Sequence, residues 1–206
     1  LGVRAVLGEM LPGIALGATL CTYDIRRSGV VQLADWLDGQ RITVLHAVPT
    51  VFREMANRMG PRRVLPHLRV LHLGGEALFG GDVVHFRDRT LDHCVLVNQL
   101  ASTETSAIAR HIVRHDTHVI GEGAVAAGRP VEGLRVEIRR DDGTLAAPGE
   151  VGEMFVCGAH LSPGYWRRPD LDAVAFSMDP LRAGWRRFRH GDLGRFDAER
   201  LGERCA

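Results

Sequence analysis

The chain has 206 residues, 45% of them apolar and 25% charged, with a formal net charge of +1. That is enough for one substantial core or two small ones, and too close to neutral for a strongly basic nucleic-acid-binding surface. No apolar run approaches the roughly 20 residues of a membrane span, and all 26 lysine-plus-arginine positions are arginine, so this chain supplies no lysine ammonium.

The opening stretch, residues 1–20, is apolar but broken by Arg4, Glu9 and Pro12, and it reads poorly as a signal peptide. "GATLCTYD" (17–24) predicts a strand. "GVVQLADWLDGQ" (29–40) predicts a helix ended by Gly39. "ITVLHAVP" (42–49) is a short apolar strand stopped by Pro49, and "TVFREMANRM" (50–59) resumes as a helix with Thr50 as N-cap. "LRVLHLGGEAL" (68–78) is a buried strand entering a Gly-rich turn. "DVVHFRDRTL" (82–91) is a helix and "CVLVNQL" (94–100) a strand. Strands alternating with helices at this spacing predict an α/β fold, a parallel sheet flanked by helices. Ligands of such sheets sit beyond the carboxyl ends of the strands, where the loops around Pro49, "GGEA" and "NQLASTET" fall.

After about residue 124 the texture changes. "LRVEIRRDDGTLAAPGEVGEMFVCG" (134–158) alternates apolar and polar residues on either side of "DDG", a hairpin signal. "LSPGYWRRPDLDAVAF" (161–176) is Pro-rich and aromatic, and "FRHGDLGRFD" (188–197) reads as a strand and turn. A small antiparallel β unit is expected here. Cys21, Cys94, Cys157 and Cys205 are widely spaced without a CxxC pair, as expected for reduced cytosolic thiols rather than a zinc site.

Taken singly, the motifs leave alternatives open. "GGEA" is compatible with a plain tight turn, and "HGDLG" with an Asp-stabilised turn. Trp166 is a candidate core residue, and His72 is either a satisfied core histidine or a pocket residue. "NQLASTET" (98–105) spends five of eight positions on Asn, Ser, Thr and Glu and lacks Gly and Pro. That pattern fits a polar loop for a phosphate or metal ligand, or a solvated cap with Ser or Thr before a helix.

In order, "GGEAL", "NQLASTET", "GRPVEGLRVEI", "GEVGEMFVCGAHLSPGYWRRPDLDAVAF" and "FRHGDLGR" resemble the adenylate-forming (AMP-binding) superfamily over essentially the whole chain. The superfamily includes acyl-CoA synthetases, luciferases and the adenylation domains of nonribosomal peptide synthetases, and the resemblance is strongest to the last. It implies activation of a carboxylic or amino acid by ATP to an acyl-AMP, with Mg²⁺, and then capture on the phosphopantetheine of a carrier-protein domain or on CoA. A cytoplasmic enzyme with neither nucleic-acid nor membrane partners is expected.

The same resemblance assigns expected roles. Thr103 is similar to the hydroxyl that meets the phosphate, and Glu104 to the Mg²⁺ ligand, a hard cation that prefers oxygen. Gly75 and Glu76 resemble the turn against which adenine lies, and Asn98 opens the loop bordering adenine and substrate. Asp192 is similar to the acid that accepts both ribose hydroxyls. The acyl group is expected to meet His72, Gly74, Gln99, Ala107 and Ile108. Residues 1–120 are then the nucleotide- and substrate-binding part, and residues 121–206 the β-rich part carrying the ribose motif.

Departures are also visible. Leu100 stands where the family usually has an aromatic on adenine, Ala101 replaces a common Gly, and His190 replaces the usual Thr beside Asp192. The family's Ser/Thr/Gly-rich phosphate loop, ending in Lys, precedes the region where this sequence begins, and its C-terminal catalytic subdomain, with a second Lys, follows the region where "RLGERCA" ends. The expectation is a fragment that carries about half of a ligase active site; the alternative is a truncated, non-catalytic nucleotide-binding or scaffold remnant.

Overall fold

The computed structural model describes residues 11–119 and 121–197. Its elements are α1 (Ile25–Ser28), α2 (Leu33–Gly39), β1 (Val44–Ala47), α3 (Pro49–Arg58), β2 (Val70–Gly74), α4 (Gly80–Arg89), β3 (Val95–Ser102), β4 (Ser106–Val113), β5 (Arg129–Pro130), β6 (Leu134–Arg139), β7 (Gly152–Gly158), α5 (Pro169–Ala175), β8 (Phe176–Met178) and β9 (Arg186–Gly194). One sheet has the order β1-β2-β3-β4-β5 and the other β6-β7-β9-β8. This is the expected α/β fold followed by an antiparallel unit. Two compact units result. The first comprises the chain up to Asn98 together with Ile112–Val125, the second Gln99–His111 together with the chain from Ala126 onward. The division therefore passes through β3 and β4, where the sequence reading divides the chain at residue 120.

In the first unit, β1 and β2 run parallel with His46 opposite His72. Alternation along β2 turns Leu71 and Leu73 into the core and leaves His72 half-buried on the other face. Helix α3 buries Phe52, Met55 and Ala56, and α4 buries Val83 and Phe86. With Leu33 and Leu37 of α2 and Leu96 of β3, Phe52, Met55, Val83 and Phe86 form one apolar core. Helical spacing of these side chains is what makes the segments helices rather than loops.

Helix α4 begins where Asp82 accepts the Phe79 N–H at 2.9 Å. Its first residue must be glycine, because a Cβ on Gly80 would lie 2.1 Å from the Gly121 carbonyl oxygen. Helix α3 starts at Pro49, whose fixed φ suits a first helical position. Val48 is therefore the N-cap, and Thr50, expected in that role, lies inside the helix.

A second correction concerns residues 17–24, which form no strand. Their polar groups are used locally. Asp24 caps α1 by accepting the N–H groups of Arg26 and Arg27, and Tyr23 packs against Trp36, ring centroids 5.1 Å apart and planes tilted by 50°, while donating to the Gly29 carbonyl. The first ten residues of the opening stretch, and "RLGERCA" with Cys205, lie outside the described residues.

The second unit is built on β6, β7, β9 and β8, all antiparallel neighbours. Val136, Ile138, Met154, Val156, Phe176 and Phe188 supply its core, which also holds Ile108 and Ala109. "DDG" makes a turn in which Gly143 N–H donates to Arg140 and Arg140 N–H to Thr144. The returning chain, however, meets β6 only at the Arg139–Leu145 bridge and the Ala146-to-Ile138 bond. Pro148, lacking an N–H, cannot continue a ladder, so the partner strand β7 starts later, at Gly152. On the outer side, Arg135 bridges Glu137 and the enclosed Asp179.

Candidate active site

The first unit carries Gly74, Gly75 and Glu76 at the carboxyl end of β2, with His72 in the middle of that strand and Asn98 midway along β3. Gly75 turns the chain with φ +84°, a left-handed conformation that favours glycine. This brings the Glu76 carboxylate to the start of α3, where its Oε2 accepts the Thr50 N–H at 3.1 Å and the Thr50 hydroxyl at 2.5 Å. A carboxylate at a helix N-terminus is favoured by the helix dipole. Buried Asn98 donates from Nδ2 to the Val125 carbonyl at 3.5 Å.

His72 has a neighbour that the sequence reading missed. The His46 and His72 rings lie 4.4 Å apart between centroids, tilted by 57°. A signal was present: "VLHA" and "VLHL" pair in register, Val44 with Val70 through His46 with His72, so a histidine in one strand places the other beside it.

The second unit carries Gln99, Leu100, Thr103, Glu104, Ala107, Ile108 and Asp192. β3 runs on to Ser102 and β4 begins at Ser106, so "STET" is neither a long loop nor a helix cap but the turn of a hairpin. Ser106 takes φ +63°, and the Ser102 and Thr105 hydroxyls meet at 2.9 Å across the turn. Thr103 is exposed and Thr105 buried. Gln99 accepts a hydrogen bond from Arg110 Nε at 2.8 Å. Leu100 leans on the second core, in which Ile108 is fully enclosed, while Ala107 is half-buried.

Glu104 stands at the tip of this turn. Its Oε1 accepts the Tyr165 hydroxyl at 2.8 Å, and its carbonyl accepts the Ser162 N–H at 2.7 Å. Partial burial disfavours its charge. The Tyr165 and Ser102 hydrogen bonds, the backbone and the neighbouring His190 outweigh that, holding the carboxyl below its usual range. The Tyr165 phenol is pushed up to about 12 by burial and then by Glu104 itself. The pair is thus a neutral donor on an ionised acceptor.

Within β9, where its register with β7 shifts, His190 is enclosed with its side chain 9% exposed, and its Nδ1 lies 3.3 Å from Oδ2 of the 63% exposed Asp192. The second unit thus groups Glu104, Tyr165, His190 and Asp192. Trp166, a candidate core residue by sequence, is 86% exposed, under the guanidinium of Arg167 at 5.6 Å. Its neighbour Tyr165 is the one that points inward.

Oxygen donors gathered on one turn, with an ionised carboxylate among them, suit a hard divalent cation. An exposed carboxylate near a strand end suits paired hydroxyls.

The family described as AMP-binding enzyme matches residues 3–166. Novobiocin biosynthesis protein H of Streptomyces niveus is 35% identical over 202 residues, covering 93% of this chain and 30% of that protein. Nonribosomal peptide synthetase agiA of Aspergillus flavus is 31% identical over 195 residues, covering 93% of this chain and 2% of that protein. The structure is similar to the adenylation domain AlmE of Vibrio cholerae solved with glycyl-adenosine-5'-phosphate, with TM-score 0.69, 26% identity and coverage of 82% of this chain and 32% of that one. This chain thus spans less than a third of each of these relatives.

Proposed function

The chain belongs to the AMP-binding enzyme family, and from that premise we propose that it forms part of a ligase that activates a carboxylic or amino acid with ATP. In the proposed reaction, a carboxylate oxygen attacks the α-phosphorus of ATP, the bond to the leaving pyrophosphate breaks, and an acyl- or aminoacyl-adenylate forms. Transfer to a thiol, on carrier-protein phosphopantetheine or on CoA, is the second step in this reading and releases AMP.

The observation that carries the proposal is the hairpin turn in which an ionised Glu104 projects beside hydroxyl groups, in the unit that also holds Asp192. Glu104 and the neighbouring hydroxyls would hold Mg²⁺, which when bound offsets charge on the phosphates. Thr103 would meet a phosphate oxygen, and Asp192 would accept the ribose hydroxyls. In the first unit, Gly75, Glu76 and Asn98 are the proposed adenine-side residues, and His72 with its neighbour His46 and Gly74 the acyl-side ones. In the second, Leu100 is the proposed adenine-side residue, and Gln99, Ala107 and enclosed Ile108 the acyl-side ones. No described helix is long and apolar enough to cross a membrane, and the cysteines Cys21, Cys94 and Cys157 are free thiols; both agree with a cytoplasmic protein.

Acid-dependent pyrophosphate exchange by the protein that carries this chain, with a panel of amino and aryl acids, tests the reading. Exchange with at least one acid that collapses in Glu104→Gln is the expected result. Exchange indifferent to Glu104→Gln removes Glu104 from the site.

A second reading, that these 206 residues bind nucleotide without turning over by themselves, is favoured by one fact: they contain no lysine. Fixed cations must stabilise charge on the phosphates in the transition state, and the planar fork of arginine does not replace a compact ammonium. The 206-residue chain assayed alone is therefore expected to show no exchange above its Glu104→Gln control, and exchange above it would exclude this reading.

A further inference from the structure

We propose that Tyr165 is a positioning residue for Glu104: its hydroxyl engages one carboxylate oxygen, Oε1, and so directs the other toward a bound divalent cation. The inference rests on the reading of Glu104 as a cation ligand and assigns a use to the "SPGY" stretch, 61 residues away in sequence.

Two contacts from that stretch reach the turn. Ser162 N–H fixes the Glu104 backbone at 2.7 Å, and the Tyr165 hydroxyl fixes its side chain at 2.8 Å. A glutamate has three rotatable side-chain bonds, and at the tip of a hairpin it would otherwise sample many rotamers. Holding the backbone and one carboxylate oxygen together removes most of that freedom.

The stretch is itself anchored. Arg186 donates to the Ser162 carbonyl and lies over the Phe176 ring at 4.5 Å. Tyr165 N–H donates to Asp172 Oδ1 of α5 at 2.7 Å, and the Tyr165 ring meets Phe176 edge-on at 5.7 Å. Gly164 makes this approach possible. With φ +135° and no Cβ it lets Asp172 come close, where a methyl group would sit 2.4 Å from Oδ2. The tyrosine is therefore held from its backbone, its ring and its hydroxyl. A purely packing tyrosine would need only the first two.

Partners of this kind, one bond removed from a metal ligand, typically change metal affinity about 10- to 100-fold when deleted. The test is direct Mn²⁺ binding to the chain in the presence of AMP, read by electron paramagnetic resonance, for the parent, Tyr165→Phe and Glu104→Gln. Tyr165→Phe keeps the ring on Phe176 and is expected to weaken Mn²⁺ binding about tenfold or more while the protein still melts cooperatively within several degrees of the parent, and Glu104→Gln abolishes binding. Parent-like binding by Tyr165→Phe alongside loss in Glu104→Gln would overturn the role of Tyr165 and spare that of Glu104. Binding that survives in Glu104→Gln, or that the parent lacks, would overturn the underlying reading and this inference with it.

A second measurement covers the case in which Tyr165→Phe fails to fold. The chain has two tyrosines, Tyr23 and Tyr165, so ring-carbon (Cζ) labelling with ¹³C gives two signals, assigned by Tyr23→Phe. Mg²⁺ with AMP should move the Tyr165 signal and leave Tyr23 in place. A Tyr165 signal unmoved at saturating Mg²⁺ would overturn the proposal.

Discussion

Arg53 and Asp82 are joined by two parallel hydrogen bonds, Nε to Oδ1 at 2.8 Å and Nη2 to Oδ2 at 2.9 Å, with the Asp82 side chain fully enclosed. The pair links α3 to α4, and the same carboxylate caps α4 through Phe79 N–H. Asparagine in its place would keep one acceptor and turn an amide donor toward the guanidinium. Asp82→Asn is expected to cost about 1.5–3 kcal/mol, the scale of hydrogen bonds to charged groups. Urea unfolding checks it, as a lower midpoint at unchanged slope; an unmoved midpoint would mean that the pair contributes nothing net.

Asp179 predicts an acid limb in the stability profile. Its carboxyl is enclosed, which alone would raise its pKa, but two bonds from Arg135 at 2.8 Å and one from Leu181 N–H at 3.0 Å outweigh this and hold it below the ordinary 3.8. A depressed folded-state pKa contributes stability that is complete above the unfolded-state value and lost as pH falls through the folded-state value. Stability should therefore decline below about pH 4, and Asp179→Asn should be less stable at neutral pH with a shallower acid decline. Parallel profiles for the two proteins would assign the acid limb to other groups.

Asp192, on the proposed reading, receives both ribose hydroxyls. Asp192→Asn should weaken the dependence on ATP by roughly 1.5–3 kcal/mol, and most of that loss should vanish with an ATP analogue lacking both hydroxyls. Equal losses with the two nucleotides would leave Asp192 a residue of β9 that only meets His190.

His46 and His72 should influence which acid is taken. The two rings share one face of β1 and β2, away from Leu71 and Leu73. On the proposed reading, His46→Ala opens space beside His72. The ranking of acids in pyrophosphate exchange should then shift toward larger side groups, by about tenfold in relative efficiency, with the ATP dependence unchanged. An unchanged ranking would return both histidines to a packing role.

Much of this protein was legible without its tertiary structure. The 3.6-residue spacing of Phe52, Met55 and Ala56 and the alternation of Leu71, His72 and Leu73 report local geometry, because each depends only on how a helix or strand repeats. The ordered motifs identified the family, and "STET" drew attention to Glu104. What sequence periodicity misread was settled by contacts across long stretches of chain. Thr50 has the chemistry of an N-cap, but Pro49 already opens α3, and Thr50 instead meets Glu76, 26 residues on. Residues 17–24 have strand-like composition but pair with no strand among the described residues, and a strand exists only through its neighbours. Trp166 and Tyr165 are consecutive aromatics that composition cannot tell apart, yet one is 86% exposed and the other holds Glu104. A local sequence specifies which hydrogen bonds and apolar contacts a residue is able to make, and only the packed chain decides which partner arrives within 3 Å.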